Sequence, residues 1–192
     1  MKWDTIPVLT TENYQLRGLN ICDAQELLAF MGDKETMKFI TPHPVETLED
    51  MNEYIEQRIH QFYGEKEIPW VIMDQEKVIG FFRLHKLHFW HRKAEMGAII
   101  HPDHQNKGVM SEVFACILPF VFEDLELNRL VGDIFSGNAH SRRLLEKYGF
   151  KEEGRFRETD FDGSEFHDTV VFSLLKQEFS ALNKRLIKEG KS

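Results

Sequence analysis

The stretch Met96-Gly97-Ala98-Ile99-Ile100-His101-Pro102-Asp103-His104-Gln105-Asn106-Lys107-Gly108-Val109-Met110-Ser111-Glu112 restricts the fold more than any other part of the chain. An apolar run with strand character meets Pro102, which stops a ladder, and an apolar helix begins a few residues later. A strand that passes through a short polar turn into a helix is a unit of mixed α/β architecture. The turn also carries chemistry. The first N–H groups of a helix have no partner inside it and hold the positive end of its dipole, so they suit an anion. Gly108 lets a ligand approach the backbone, and Lys107 adds a mobile cation. On the residues alone two readings stand, a phosphate cradle and an ordinary turn glycine. The GxxxxGK loop ending in Ser or Thr is absent, and so is the GxGxxG fingerprint.

The surrounding pattern supplies the rest of a sheet. Tyr14 to Leu19 reads as a short strand, and Asp23 as the N-cap of a helix through Phe30. Thr47 caps a longer helix to Tyr63, with Met51, Ile55, Ile59 and Phe62 on its apolar stripe. Trp70–Met73 and Val78–Phe82 flank a polar turn and predict a β-hairpin. Glu95 to His101 is the next strand. The helix from Gly108 to Glu123 contains Pro119, which removes one backbone donor and predicts a kink or break there. Arg129–Phe135 is a strand, and Asn138–Lys147 a helix capped by Asn138 and ended by Gly149. Glu158–Asp162 and Phe166–Leu175 form strands around a Gly163 turn, and the basic tail Lys176–Lys191 starts as helix. This order predicts a mixed α/β or α+β sheet in a single domain spanning residues 1–192, not a doubly wound parallel one.

The net charge of −8 speaks against a general nucleic-acid binder, which needs a surplus of Lys and Arg. No window holds the ~18 apolar residues of a membrane span, and no apolar leader opens the chain. Cys22 and Cys116 lack CxxC spacing, and Cys116 lies in an apolar run as a small hydrophobe. A reduced, cytoplasmic protein is the expectation. His85, His88 and His91 alternate faces in a strand, and a metal site is not expected of them.

Three blocks resemble one known family. Gln105-Asn106-Lys107-Gly108-Val109-Met110 is similar to the acyl-CoA pyrophosphate loop of the GNAT N-acetyltransferases, with Met110 in place of the usual small last residue. Asn138 to Phe150 resembles the NxxSxxLxEKxGF element of the RimJ/RimL-type branch, and Arg157-Glu158 with Phe166–Leu175 resembles its closing strands. The blocks run in family order from about Glu95 to Leu175. The resemblance implies a mostly antiparallel sheet of about seven strands, flanked by helices and splayed at the acyl-CoA site. It implies acetyl-CoA as acyl donor, an amine as acceptor, and no metal. The implied acceptors are a protein N-terminus, a polyamine or a small amine.

Site residues follow from the resemblance. The pantetheine arm would pair with Ala98, Ile99, Ile100 and His101, and the pyrophosphate would meet Gln105, Asn106, Lys107, Gly108, Val109, Met110 and Ser111. Asn138 would contact the arm and Ser141 would face the sulfur. The base would be Glu95 or Glu158, which the sequence leaves unranked. A monomer or homodimer is equally open. Two other classes remain at this level: a non-catalytic acyl-CoA sensor or scaffold, and a nucleotide-binding protein that uses only the loop.

Overall fold

The computed structural model describes residues 4–162 and 164–181; the Gly163 turn and the tail beyond 181 lie outside the described residues. Among the described residues eight strands form one sheet in the order β1-β2-β3-β4-β5-β6-β8-β7. The strands are β1 (Leu9–Thr10), β2 (Gln15–Gly18), β3 (Ile68–Asp74), β4 (Lys77–His88), β5 (Lys93–Ile100), β6 (Arg129–Phe135), β7 (Lys151–Phe161) and β8 (Phe166–Leu175). Every neighbouring pair is antiparallel except β5 with β6. The sequence-based count of about seven is one strand short, because β1 has only two residues.

Among the described residues five α-helices cover the sheet: α1 (Ala24–Met31), α2 (Lys34–Met37), α3 (Leu48–Tyr63), α4 (Val109–Pro119) and α5 (Ala139–Lys147). Residues 176–181 are also helical. On one face α4 buries Val109, Val113, Phe114, Ile117 and Leu118 against Trp70, Phe82 and Leu84 of the sheet. On the other, α1 and α3 bury Leu27, Met31, Met51 and Ile55 against Val71, Phe81 and Ile99. Strands β3, β4 and β5 therefore feed both cores through their alternating side chains.

Several expectations are corrected. Asp23 does not cap α1 with its side chain. Asn20 caps the 3₁₀ turn Ile21–Asp23, and Asp23, which is buried, holds the Asn20 N–H and the Arg17 guanidinium at 2.6 Å. Helix α2 is absent from the sequence reading; Asp33 caps it through the Thr36 N–H. Strand β7 starts at Lys151, well before Glu158. Thr47 and Asn138 do cap α3 and α5, accepting from the Asp50 and Ser141 N–H groups. At Pro119 the helix does not break: it widens into a π turn over Phe120–Asp124, where the Leu125 N–H reaches the Phe120 carbonyl. A missing donor in the last α turn is tolerated where the ladder changes spacing.

Candidate active site

The parallel pairing of β5 with β6 covers only Lys93, Ala94 and Glu95, opposite Arg129, Leu130 and Val131. Beyond Glu95 the two strands part, while β5 stays paired with β4 as far as Ile100 opposite Gly80. A cleft of about 700 Å³ opens along this separation. Its walls are Met96–Ile100 of β5, Gly132–Ile134 of β6, the start of α4, and the first turns of α5. Thr36, Phe39 and Ile40, in and after α2, also line it.

The turn before α4 is locally built to expose its amides. Asn106 (φ 61°) and Gly108 (φ 84°) are both left-handed, which reverses the chain in two steps. A Cβ at Gly108 would touch nothing within 4 Å, so this glycine is required by the backbone conformation and not by crowding. The Gln105 side chain donates to the Ile100 carbonyl at 3.1 Å and ties the turn to the strand end. Lys147 Nζ donates to Ser111 Oγ and Tyr148 Oη to the Ser111 carbonyl, which joins the end of α5 to the start of α4.

Most residues expected from the sequence converge. Ala98, Ile99, Ile100, Gln105, Asn106, Gly108, Val109, Met110, Ser111, Asn138 and Ser141 line this cleft. His101 and Lys107 do not: the His101 ring meets Phe30 edge-on, and Lys107 is exposed outside the lining. The cleft's cations are instead Arg143 and Lys147 on α5, together with Lys38. Arg143 and Lys147 lie outside the site residues that the sequence suggested, although Asn138 and Ser141 of the same element are among them.

The two candidate carboxylates separate. Glu95 stands where the strands part, with 25% of its side chain exposed, and Lys86 Nζ lies 2.7 Å from it. Asp133, on β6 and missed in the sequence, borders the main cleft and a second one of about 440 Å³ that also contains Glu95 and Lys86. Desolvation by its surroundings pushes the Asp133 carboxyl up, and the charge of Glu95 adds to the shift. Its place as the one acid in β6 was the available signal. Glu158 sits in a bulge of β7 with φ 51°, is exposed, and borders neither cleft. Its N–H is held by Asp168, and the neighbouring Arg155 pairs with Asp168.

A mixed sheet that parts beside a helix N-terminus, with a second helix N-terminus opposite, is the architecture of an acyl-CoA-dependent transferase. Residues 14–151 match the acetyltransferase (GNAT) domain family, and the chain belongs to it; it is an N-acetyltransferase. It is 31% identical over 88% of its length to YoaA of Bacillus subtilis strain 168, named an uncharacterized N-acetyltransferase, 97% of which is covered. It is 27% identical to a spermidine N(1)-acetyltransferase of Vibrio cholerae, over 85% of this chain and 94% of that protein. The crystal structure of a spermidine N-acetyltransferase from Vibrio cholerae with CoA and spermine superposes with a TM-score of 0.79 at 26% identity, over 88% of this chain and 98% of that one. Among the described residues no helix is long and apolar enough to cross a membrane.

Proposed function

We propose that the chain, acting as one domain of the RimJ/RimL-type branch, binds acetyl-CoA in the β5–β6 cleft and passes the acetyl group to an amine on the opposite side of the sheet. The observation that carries this reading is the end of β5–β6 pairing at Glu95, which leaves the β5 backbone from Met96 to Ile100 facing the cleft. An extended pantetheine arm can add to that edge as a further strand. The pyrophosphate then reaches the amides of Gln105–Met110 and the dipole of α4.

The amine nitrogen attacks the thioester carbonyl carbon, the C–S bond breaks, and the amine's proton leaves to a carboxylate or through water. A lysine-like amine at pH 7 spends about 4.6 kcal/mol to become a free base, and an α-amine about 1 kcal/mol. Glu95, with Asp133 beside it, is the base this geometry favours over Glu158. The Ser141 hydroxyl, in the first turn of α5 and lining the cleft, donates a hydrogen bond to the departing thiolate, which takes its proton from solvent as the amine's proton passes to the base. Amine-bearing peptides and small amines are the acceptor class, and no metal takes part.

The test is steady-state thiol release with an amine and peptide panel. We expect Ser141→Ala and Glu95→Gln each to lower kcat by about 10²-fold with CoA affinity preserved, and Glu158→Gln to change kcat less than about threefold. Unchanged turnover in the first two variants would remove this mechanism.

A further inference from the structure

The acceptor side of the strand separation has a cationic wall that the transfer chemistry does not use. Arg83 lies opposite Gly97 across the β4–β5 ladder, on the face that also carries His85 and Glu95. Gly97 has no side chain to fill this face; a Cβ there would stand 3.6 Å from Arg83 Nε and 3.9 Å from His85 Nε2. Gly97 also lines the main cleft. Arg83 itself lines neither cleft, but its Nε stands beside Gly97, a residue that does line the main one.

The charge on this wall is not balanced. Arg58 Nη1 and Arg83 Nη1 share one oxygen, Glu67 Oε2, at 3.1 and 3.4 Å. The other oxygen, Glu67 Oε1, is buried without a partner, and so is Arg58 Nε. Two guanidiniums against one carboxylate leave a net positive charge. Burial first, and then the charges of Arg83, Lys86 and Arg58, hold His85 down at about 4, so its ring is neutral at neutral pH. Among the described residues Arg83 makes its one side-chain hydrogen bond through Nη1, and 27% of its side chain remains exposed. A guanidinium fork with free N–H groups fits a carboxylate.

Resting on the proposed acetyl transfer, we propose that Arg83 binds a carboxylate carried next to the acceptor's amine, so that the acceptor is an α-amino-carboxylate zwitterion and not a bare polyamine. Arg83 and Glu95 stand diagonally on this face, Arg83 opposite Gly97 and Glu95 opposite His85, with Lys86 Nζ 2.7 Å from Glu95 for an acceptor ammonium to displace. Glu95 and Gly97 lie on one face two residues apart, about 6.6 Å. The ammonium and carboxylate of an α-amino acid are about 3 Å apart, and the Glu95 and Arg83 side chains span the remainder with hydrogen-bond lengths to spare. The ammonium faces Glu95 and Asp133, where it loses its proton, and the carboxylate faces Arg83.

The experiment uses CoA-saturated protein and two probes that mimic the acetylated product, N-acetylglycine and N-acetylglycinamide. Calorimetry gives their affinities, and the Arg83 Nε–H resonance in a ¹⁵N spectrum reports contact. We expect the acid to bind at least tenfold tighter than the amide and to shift that resonance. The preference disappears in Arg83→Gln and survives in reduced form in Arg83→Lys, with CoA affinity unchanged in both as the check on folding. Equal treatment of acid and amide by protein that binds CoA overturns this inference alone, as does a preference that persists in Arg83→Gln. A chain that fails to bind CoA overturns the reading of the cleft and this inference with it.

Discussion

At the scale of single residues, His85 shows how one side chain links the site to the stability of the chain. Its folded value is about 4 and its ordinary value 6.5. Between those limits the unfolded chain binds a proton that the folded chain refuses, so stability rises with pH in this window. The contribution is complete above about 6.5 and is lost as the pH falls toward 4. With the ring partly open to solvent, we expect about 1 kcal/mol less stability at pH 5 than at pH 7 from this residue. Urea unfolding of the wild type and His85→Gln at both pH values isolates it; an equal pH slope in the two proteins would contradict the assignment. The comparison is needed because Glu67 and Asp133 are raised by burial and act in the opposite sense. Glu153 is held down at about 2, mainly by Arg129 and Ser173, and its pairing is lost only in more acid solution.

At the scale of elements, capping decides where the site begins. Asn138 Oδ1 accepts the Ser141 N–H at 3.0 Å, so the residue that starts α5 also orients the serine proposed to meet the thiolate. Asn138→Ala should cost about 1 kcal/mol of stability and lower kcat, while Asn138→Asp, which keeps the cap, should restore the stability. Thermal unfolding together with kcat measures both effects. The same element shows what the sequence made legible. Asn138, Thr47 and Gly149 signal their helix ends because capping is local chemistry, readable from a few residues. Strand β7 was not readable over Lys151–Arg157: as an edge strand it is exposed on nearly every residue, so it shows no alternation, and backbone pairing with β8 holds it. Helix α2 is four residues long and has no period to detect. The fold was thus visible wherever side chains alternate between core and water. The β5–β6 separation was not, because it depends on where two distant strands stop pairing, and Asp133 lines the clefts only through it.

At the scale of the whole molecule, the surplus of eight negative charges takes on a direction. Asp133 feels the like charges of Glu95 and Asp160, whereas Arg143 and Lys147 border the main cleft from α5. An amino acid with a cationic side chain should therefore lose kcat/KM severalfold as salt rises from about 0.05 to about 0.5 M, while one with a neutral side chain should change little. Parallel salt curves for the two acceptors would leave the net charge with no role beyond solubility. One more property spans the molecule. In the π turn after Pro119, Phe120, Val121 and Phe122 are consecutive and all buried. Phe120 meets Trp70 of β3 edge-on, and Phe122 stacks on Phe179 in the segment that follows β8. That single turn acts as a keystone between a strand from the first half of the chain and the segment after the last strand. A chain cut at Leu175 would lose more than a peripheral segment: the keystone would bear on one side only, and the loosening would reach Trp70 through Phe120.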